Sequence, residues 1–161
     1  MTEKEFEKLI KKDKYQVFVF TSLCAFPITF ARHSWFVVNN KGVISRWEIL
    51  YNQNETFTSW GHLYKNYLSP TEGMWMYHVR SAPHWRGKLL TILEGDENSV
   101  IRKMVDLIES SNTTYPNNYN YKLIEGPHSN AYTQWVLNHF PELKIKLPWN
   151  CFGNNYKEKN K

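Results

Sequence analysis

"HSWFVVNNKGVISRWEIL", residues 33–50, holds two strand-like runs around a turn signal. Aromatic and β-branched residues crowd 35–38 and 43–50, and Asn-Asn-Lys-Gly interrupts them, the pattern of a β-hairpin. A hairpin symmetric about that turn puts Val38 opposite Val43. The same register puts His33 opposite Glu48. Facing side chains have Cβ atoms about 4.5–5.5 Å apart, so a carboxylate there can hold an imidazole. A slip of one residue would send the two to opposite faces. The plainer reading is a cross-strand polar pair at a sheet edge.

The hairpin does not stand alone. "YQVFVFT" (15–21) reads as a further strand, and "SLCAFPITFAR" (22–32) as an apolar loop broken by Pro27. As a membrane or signal segment, residues 15–31 fall short of a clean apolar run of about 20 residues. The sequence predicts a buried strand and a loop, with a signal anchor as the minority alternative. Residues 51–74 read as irregular. Residues 74–95 read as a short strand, a break at Pro83 and an apolar turn. "DENSVIRKMVDLIESSN" (96–112) has helical periodicity, with Asp96 or Asn98 as its cap. "YKLI" (121–124) reads as a short strand, and residues 130–140 as a second helix. Residues 3–12 suggest an amphipathic helix or arm.

The chain has 161 residues, 42% of them hydrophobic and 16% aromatic, enough for one core. One domain over 1–156 is expected, with 1–14 as an N-terminal helix or arm and 157–161 as a disordered basic tail. The fold class is α+β: a small antiparallel sheet with a central hairpin, packed on two or three helices. The net charge of +5 is spread thinly, and no nucleic-acid motif accompanies it, so a nucleic-acid partner is not expected. Two cysteines, Cys24 and Cys151, make neither a disulfide framework nor a C-x-x-C motif, which fits the cytoplasm. No histidine pair has a metal-ligand spacing, so neither a metal nor a cofactor is expected.

"GPHSNAYTQWVLNHF" (126–140) raises the chemical question. Ser129 and Asn130 both suit the cap of the helix that follows. A helix N-terminus also stabilises a nucleophile and an oxyanion. Serine then needs a general base, ordinarily a histidine oriented by a carboxylate. His33 and Glu48 supply those parts. His128, beside Ser129, is a substrate contact or a rival base.

"HSWFVV", "RWEIL", "YP" and "EGPHSNAYTQWVLNHFPELKIKLP" together resemble DUF3750, an uncharacterised bacterial family, from about residue 15 to 156. The family pattern is similar to His-x-Trp, Tyr-Glu-Val, Tyr-Pro, Pro-Gly-Pro-Asn-Ser-Asn-Thr-Phe, Pro-x-Leu and Leu-Pro. His128 stands where the family usually has Asn, Ala131-Tyr132 where it has Thr-Phe, and "GNNY" (153–156) where it tends to Gly-Lys-Asp-Tyr. A more distant resemblance runs to circularly permuted papain-like folds. There a strand histidine comes first, a polar orienting residue next, and Asn-Cys-x-x-Phe opens a helix last. His33, Glu48 and Ser129 follow that order, with serine in the cysteine's place. The resemblance implies a hydrolase or acyltransferase acting on an amide or ester. Ser129 would be its nucleophile, His33 its base and Glu48 the orienting group, with His128, Asn130 and Trp35 as substrate contacts. The alternative is a non-catalytic binding module using the same aromatic-lined cleft. The partner would be a small molecule, peptide or lipid-like substrate, and no transmembrane span is expected.

Overall fold

The computed structural model describes residues 1–123 and 126–157. Its centre is a five-stranded antiparallel sheet. β1 (Tyr15–Leu23), β2 (Arg32–Asn40), β3 (Val43–Thr56) and β4 (Ser59–Lys65) follow one another as hairpins. A later strand, β7 (Lys88–Gly95), returns to the far edge, giving the order β4-β3-β2-β1-β7. β5 (Glu72–Trp75) and β6 (His84–Arg86) form a separate two-stranded ribbon between them.

Both hairpin strands form as read, but the register differs. Asn40 pairs with Val43 and Phe36 with Trp47. The loop is therefore Lys41-Gly42 alone, with φ of 49° and 96°. Positive φ at both central residues matches the right-handed twist of the strands, and this favours the two-residue turn over a four-residue one. The Asn39 side chain accepts from the Gly42 N–H and pins it. The expected register was thus two residues out. A shift of two preserves the faces, because side chains alternate with period two. His33 and Glu48 remain on one side as diagonal neighbours rather than directly opposed.

The sheet is covered on both faces. On β2, Phe36 and Val38 point to the face that packs under α2 (Val100–Glu109) and α4 (Ser129–Asn138), with Val17, Val19, Trp47 and Ile49 from the neighbouring strands. Trp35 and Val37 point the other way, with Phe18 and Phe20, onto Phe6 of the short helix α1 (Glu3–Glu7). Two-sided burial explains why these strands read as nearly continuous apolar runs. α2 starts at Ser99, whose hydroxyl accepts the Arg102 N–H, and not at Asp96 or Asn98. Its buried stripe is Ile101, Met104, Val105 and Ile108. A short turn, α3 (Ser111–Thr114), follows.

Other expectations are corrected. Residues 51–74 are ordered: they complete β3, form β4 and begin β5. The apolar turn expected near 88–95 is edge strand β7, paired to β1. Tyr121–Leu123 form no strand, and Ile124, the last residue of that expected strand, lies outside the described residues. Most of the basic tail, 158–161, lies outside them too. Residues 15–23, the start of the segment weighed as a signal anchor, are the buried strand β1. Among the described residues no helix is long and apolar enough to cross a membrane.

Candidate functional site: two polar clusters divided by the sheet

The first cluster lies on the face away from α4. His33 Nε2 is 2.9 Å from Glu48 Oε2, as the hairpin predicted. Arg46 completes the group: its Nη2 donates to Glu48 Oε2 at 2.8 Å, and its Nε is 2.7 Å from Oε1, off the line of a good hydrogen bond. Its Nη1 donates to the carbonyls of Ser69 and Glu72. The guanidinium lies 4.3 Å over the Trp35 ring, which also stacks on His33 and Phe20. His33 is 2% exposed, and Arg46 and Glu48 are sealed. Burial alone would push the Glu48 carboxyl up. The Arg46 charge and the His33 hydrogen bond outweigh it and hold the carboxyl down at about 2. Arg46 was legible in principle. It lies two residues before Glu48 on a strand, hence on the same face.

The second cluster gathers at the N-terminus of α4. His128 is the N-cap and makes no side-chain cap bond, and Ser129 is the first helical residue. The Asn130 carboxamide is an inward clamp rather than a cap. Its oxygen accepts from the Ser34 N–H and hydroxyl, and its nitrogen donates to the carbonyls of Arg32 and Phe152. The Ser34 hydroxyl oxygen lies 2.9 Å from the Thr133 hydroxyl, which donates to it. Ser129 meets Tyr121: burial pushes that phenol up, and hydrogen bonds from the Ser129 hydroxyl and N–H offset part of the rise. Tyr121 in turn packs against His62 and Tyr51. The sequence carried no signal for Tyr121 as the partner of Ser129. Half-buried His128 is pushed down by burial, and its ring fills the space a Cβ would take at Gly153, whose φ is +95°.

The sheet lies between the two clusters. Ser34, on the α4 side of β2, bonds Asn130, whereas its neighbour His33 points to the opposite face. The structure therefore brings His33 to Glu48 and does not bring either to Ser129. Two of the residues expected from the sequence to contact substrate are buried. Trp35 is fully buried, with its indole N–H donated to the Pro70 carbonyl. Asn130 is 4% exposed, with donors and acceptor already engaged. Neither has a polar atom free for a ligand. His128 stays at the surface layer. A further pair, His84 and Glu72, is joined through Nδ1 on the β5–β6 ribbon and lines a shallow groove of about 320 Å³ with Arg86. Among the described residues no group of three or more His, Cys, Asp or Glu is arranged to hold a metal.

Residues 14–156 match the family model described as "Protein of unknown function (DUF3750)". The chain belongs to this family. The match spans both clusters, from the first strand to the segment that follows α4. No curated protein and no solved structure matches the chain.

Proposed function

We propose that this DUF3750 protein is a binding module whose ligand-contact surface is the N-terminal end of α4, around Ser129, His128 and Tyr121. One observation carries the reading: His33 bonds Glu48 on the face of β2 opposite the one that receives α4, the helix that Ser129 opens. A base must come within about 3 Å of the proton it takes, directly or through one water. His33 has its Nε2 already held by Glu48 and is sealed from solvent. Ser129 lies beside the Tyr121 phenol, whose ionisation it lowers. Free Cys24 and Cys151 support a reducing, cytoplasmic setting.

A hydrolase or acyltransferase on a permuted papain-like scaffold is the second reading. It is favoured by half-exposed Ser129 in the first turn of a helix packed on an antiparallel sheet, and by the order His33, Glu48, Ser129. A fluorophosphonate probe separates the two. The binding reading expects no covalent adduct on the native protein. Labelling that disappears in Ser129→Ala would reverse the order of the two readings.

A further inference from the structure

The loops at one end of the sheet expose their rings instead of burying them. The β1–β2 loop, 24–31, sits at the centre of this end. Its Phe26 N–H donates to the Met76 carbonyl, which ties it to the β5–β6 connection. The Phe30 carbonyl accepts from the Asn150 side chain, and Phe30 meets Phe152 edge-on at 6.1 Å, which ties it to the segment after α4. Three segments distant in sequence thus form one surface. Its exposed apolar residues are Phe26, Phe30, Tyr77, Val79, Trp149 (80% exposed) and Phe152. Single exposed apolar residues need no explanation, but five rings and a valine on adjoining loop tips do.

The charge on these loops has one sign. Segments 24–32, 76–82 and 146–156 contain no Asp or Glu. Their formal charges are Arg32, Arg80 and Lys146, and Arg80 and Lys146 are exposed. Exposed apolar rings, exposed cations on the same segments and no acid among them match the chemistry of an anionic bilayer surface. There rings enter the acyl boundary and Lys or Arg meets the headgroups. The rings stand on separate loop tips, unlike the continuous channel on which a nucleic-acid strand stacks.

We propose that this end of the protein docks peripherally on an anionic lipid bilayer through Phe26, Phe30, Trp149 and Phe152, with Arg80 and Lys146 facing the headgroups. The α4 N-terminus opens at the same end, because Asn130 binds the Phe152 and Arg32 carbonyls, so docking would bring Ser129 to the membrane surface. The inference goes beyond the binding reading and holds whether or not Ser129 reacts with a probe.

Vesicle co-sedimentation of the full chain tests it, with phosphatidylcholine vesicles against vesicles that also contain phosphatidylglycerol. The native protein is expected to pellet with the anionic vesicles, and less so as salt is added. The double variant Phe30→Ser, Trp149→Ser should lose roughly tenfold in partitioning while its melting temperature stays put, since both rings are exposed. Arg80→Glu should lose several-fold on anionic vesicles and little on neutral ones. No partitioning of the native protein, or equal partitioning of the double variant, would overturn the proposal. So would a single-stranded oligonucleotide that binds in solution and is lost in the same double variant, because the surface would then belong to nucleic acid.

Discussion

The two polar clusters are buried to a similar depth and are built from opposite materials. Arg46, Glu48 and His33 place a full ion pair inside the protein, on the face of the sheet away from α4. Ser34, Asn130 and Thr133 place only neutral groups under α4, with every polar atom of the carboxamide engaged. A buried ion pair gains little over a hydrophobic replacement, yet losing one partner leaves an uncompensated charge. A neutral clamp costs less to break and fixes geometry instead. The charged cluster therefore behaves as a lock on the fold. Its Arg46 holds the 69–72 backbone against the sheet, and its imidazole is occupied. The neutral cluster positions a helix end whose first residue still reaches solvent. Function is expected at the second.

The largest effect belongs to the lock. Glu48→Gln keeps the shape and strands the Arg46 charge, for an expected loss of about 3–5 kcal/mol in urea unfolding near neutral pH. The sign with pH follows from the lowered carboxyl. A depressed folded pKa gives stability that is present above the unfolded value of about 4.5, and it is lost as pH falls towards about 2. Native stability should drop across that interval, and the variant should lose this component of the drop. A loss under about 1 kcal/mol with an unchanged acid limb would place the pair in a solvent-screened setting instead.

Asn130→Ala should come next. It orphans the Ser34 N–H and the carbonyls of Arg32 and Phe152, for roughly 2–3 kcal/mol. Asn130→Asp preserves the acceptor for Ser34 but removes the donor to both carbonyls, so it should recover only part of the loss. Amide exchange at Ser34 distinguishes the two: fast in the alanine variant and protected in the aspartate. Fast exchange in neither would mean that the clamp does not hold β2 to α4.

The same contrast shows what the sequence carries. Strands β1, β2 and β3, helix α2 and the start of α4 were legible, because two-sided burial and helical periodicity leave direct traces. So was the contact of His33 with Glu48, since an error of two residues in register keeps the face. The register itself was not, because Asn39 and Asn40 look like turn residues as much as Lys41 and Gly42 do. Strands β4 and β7 were missed: β4 is an edge strand whose sequence mixes Ser, Gly and His among its apolar residues, and β7 is a half-exposed edge strand with weak alternation. The separation of Ser129 from His33 was invisible for a different reason. Chain order says which elements come first, but the face of β2 on which α4 settles is decided by packing. Here Phe36 and Val38 received the helix, and His33, an odd number of residues away from each, was turned to the other side.

The smallest effect is the most diagnostic for the helix end. Were Ser129 the N-cap, replacing it with alanine would cost about 1 kcal/mol, because the cap oxygen satisfies an orphan N–H of the first turn. The cap is His128, and Ser129 follows it inside the helix, where alanine is the best helix former. Ser129→Ala should therefore change the thermal midpoint within the scatter of a neutral surface substitution, about 0.5 kcal/mol. What should move is Tyr121. The Ser129 hydroxyl bond lowers the phenol, so its removal sends that ionisation to higher pH. Ultraviolet difference titration of the two proteins reads this without any substrate. A destabilised variant with an unmoved tyrosine would make Ser129 a structural cap, and the ligand-contact surface would have to be sought away from this helix end.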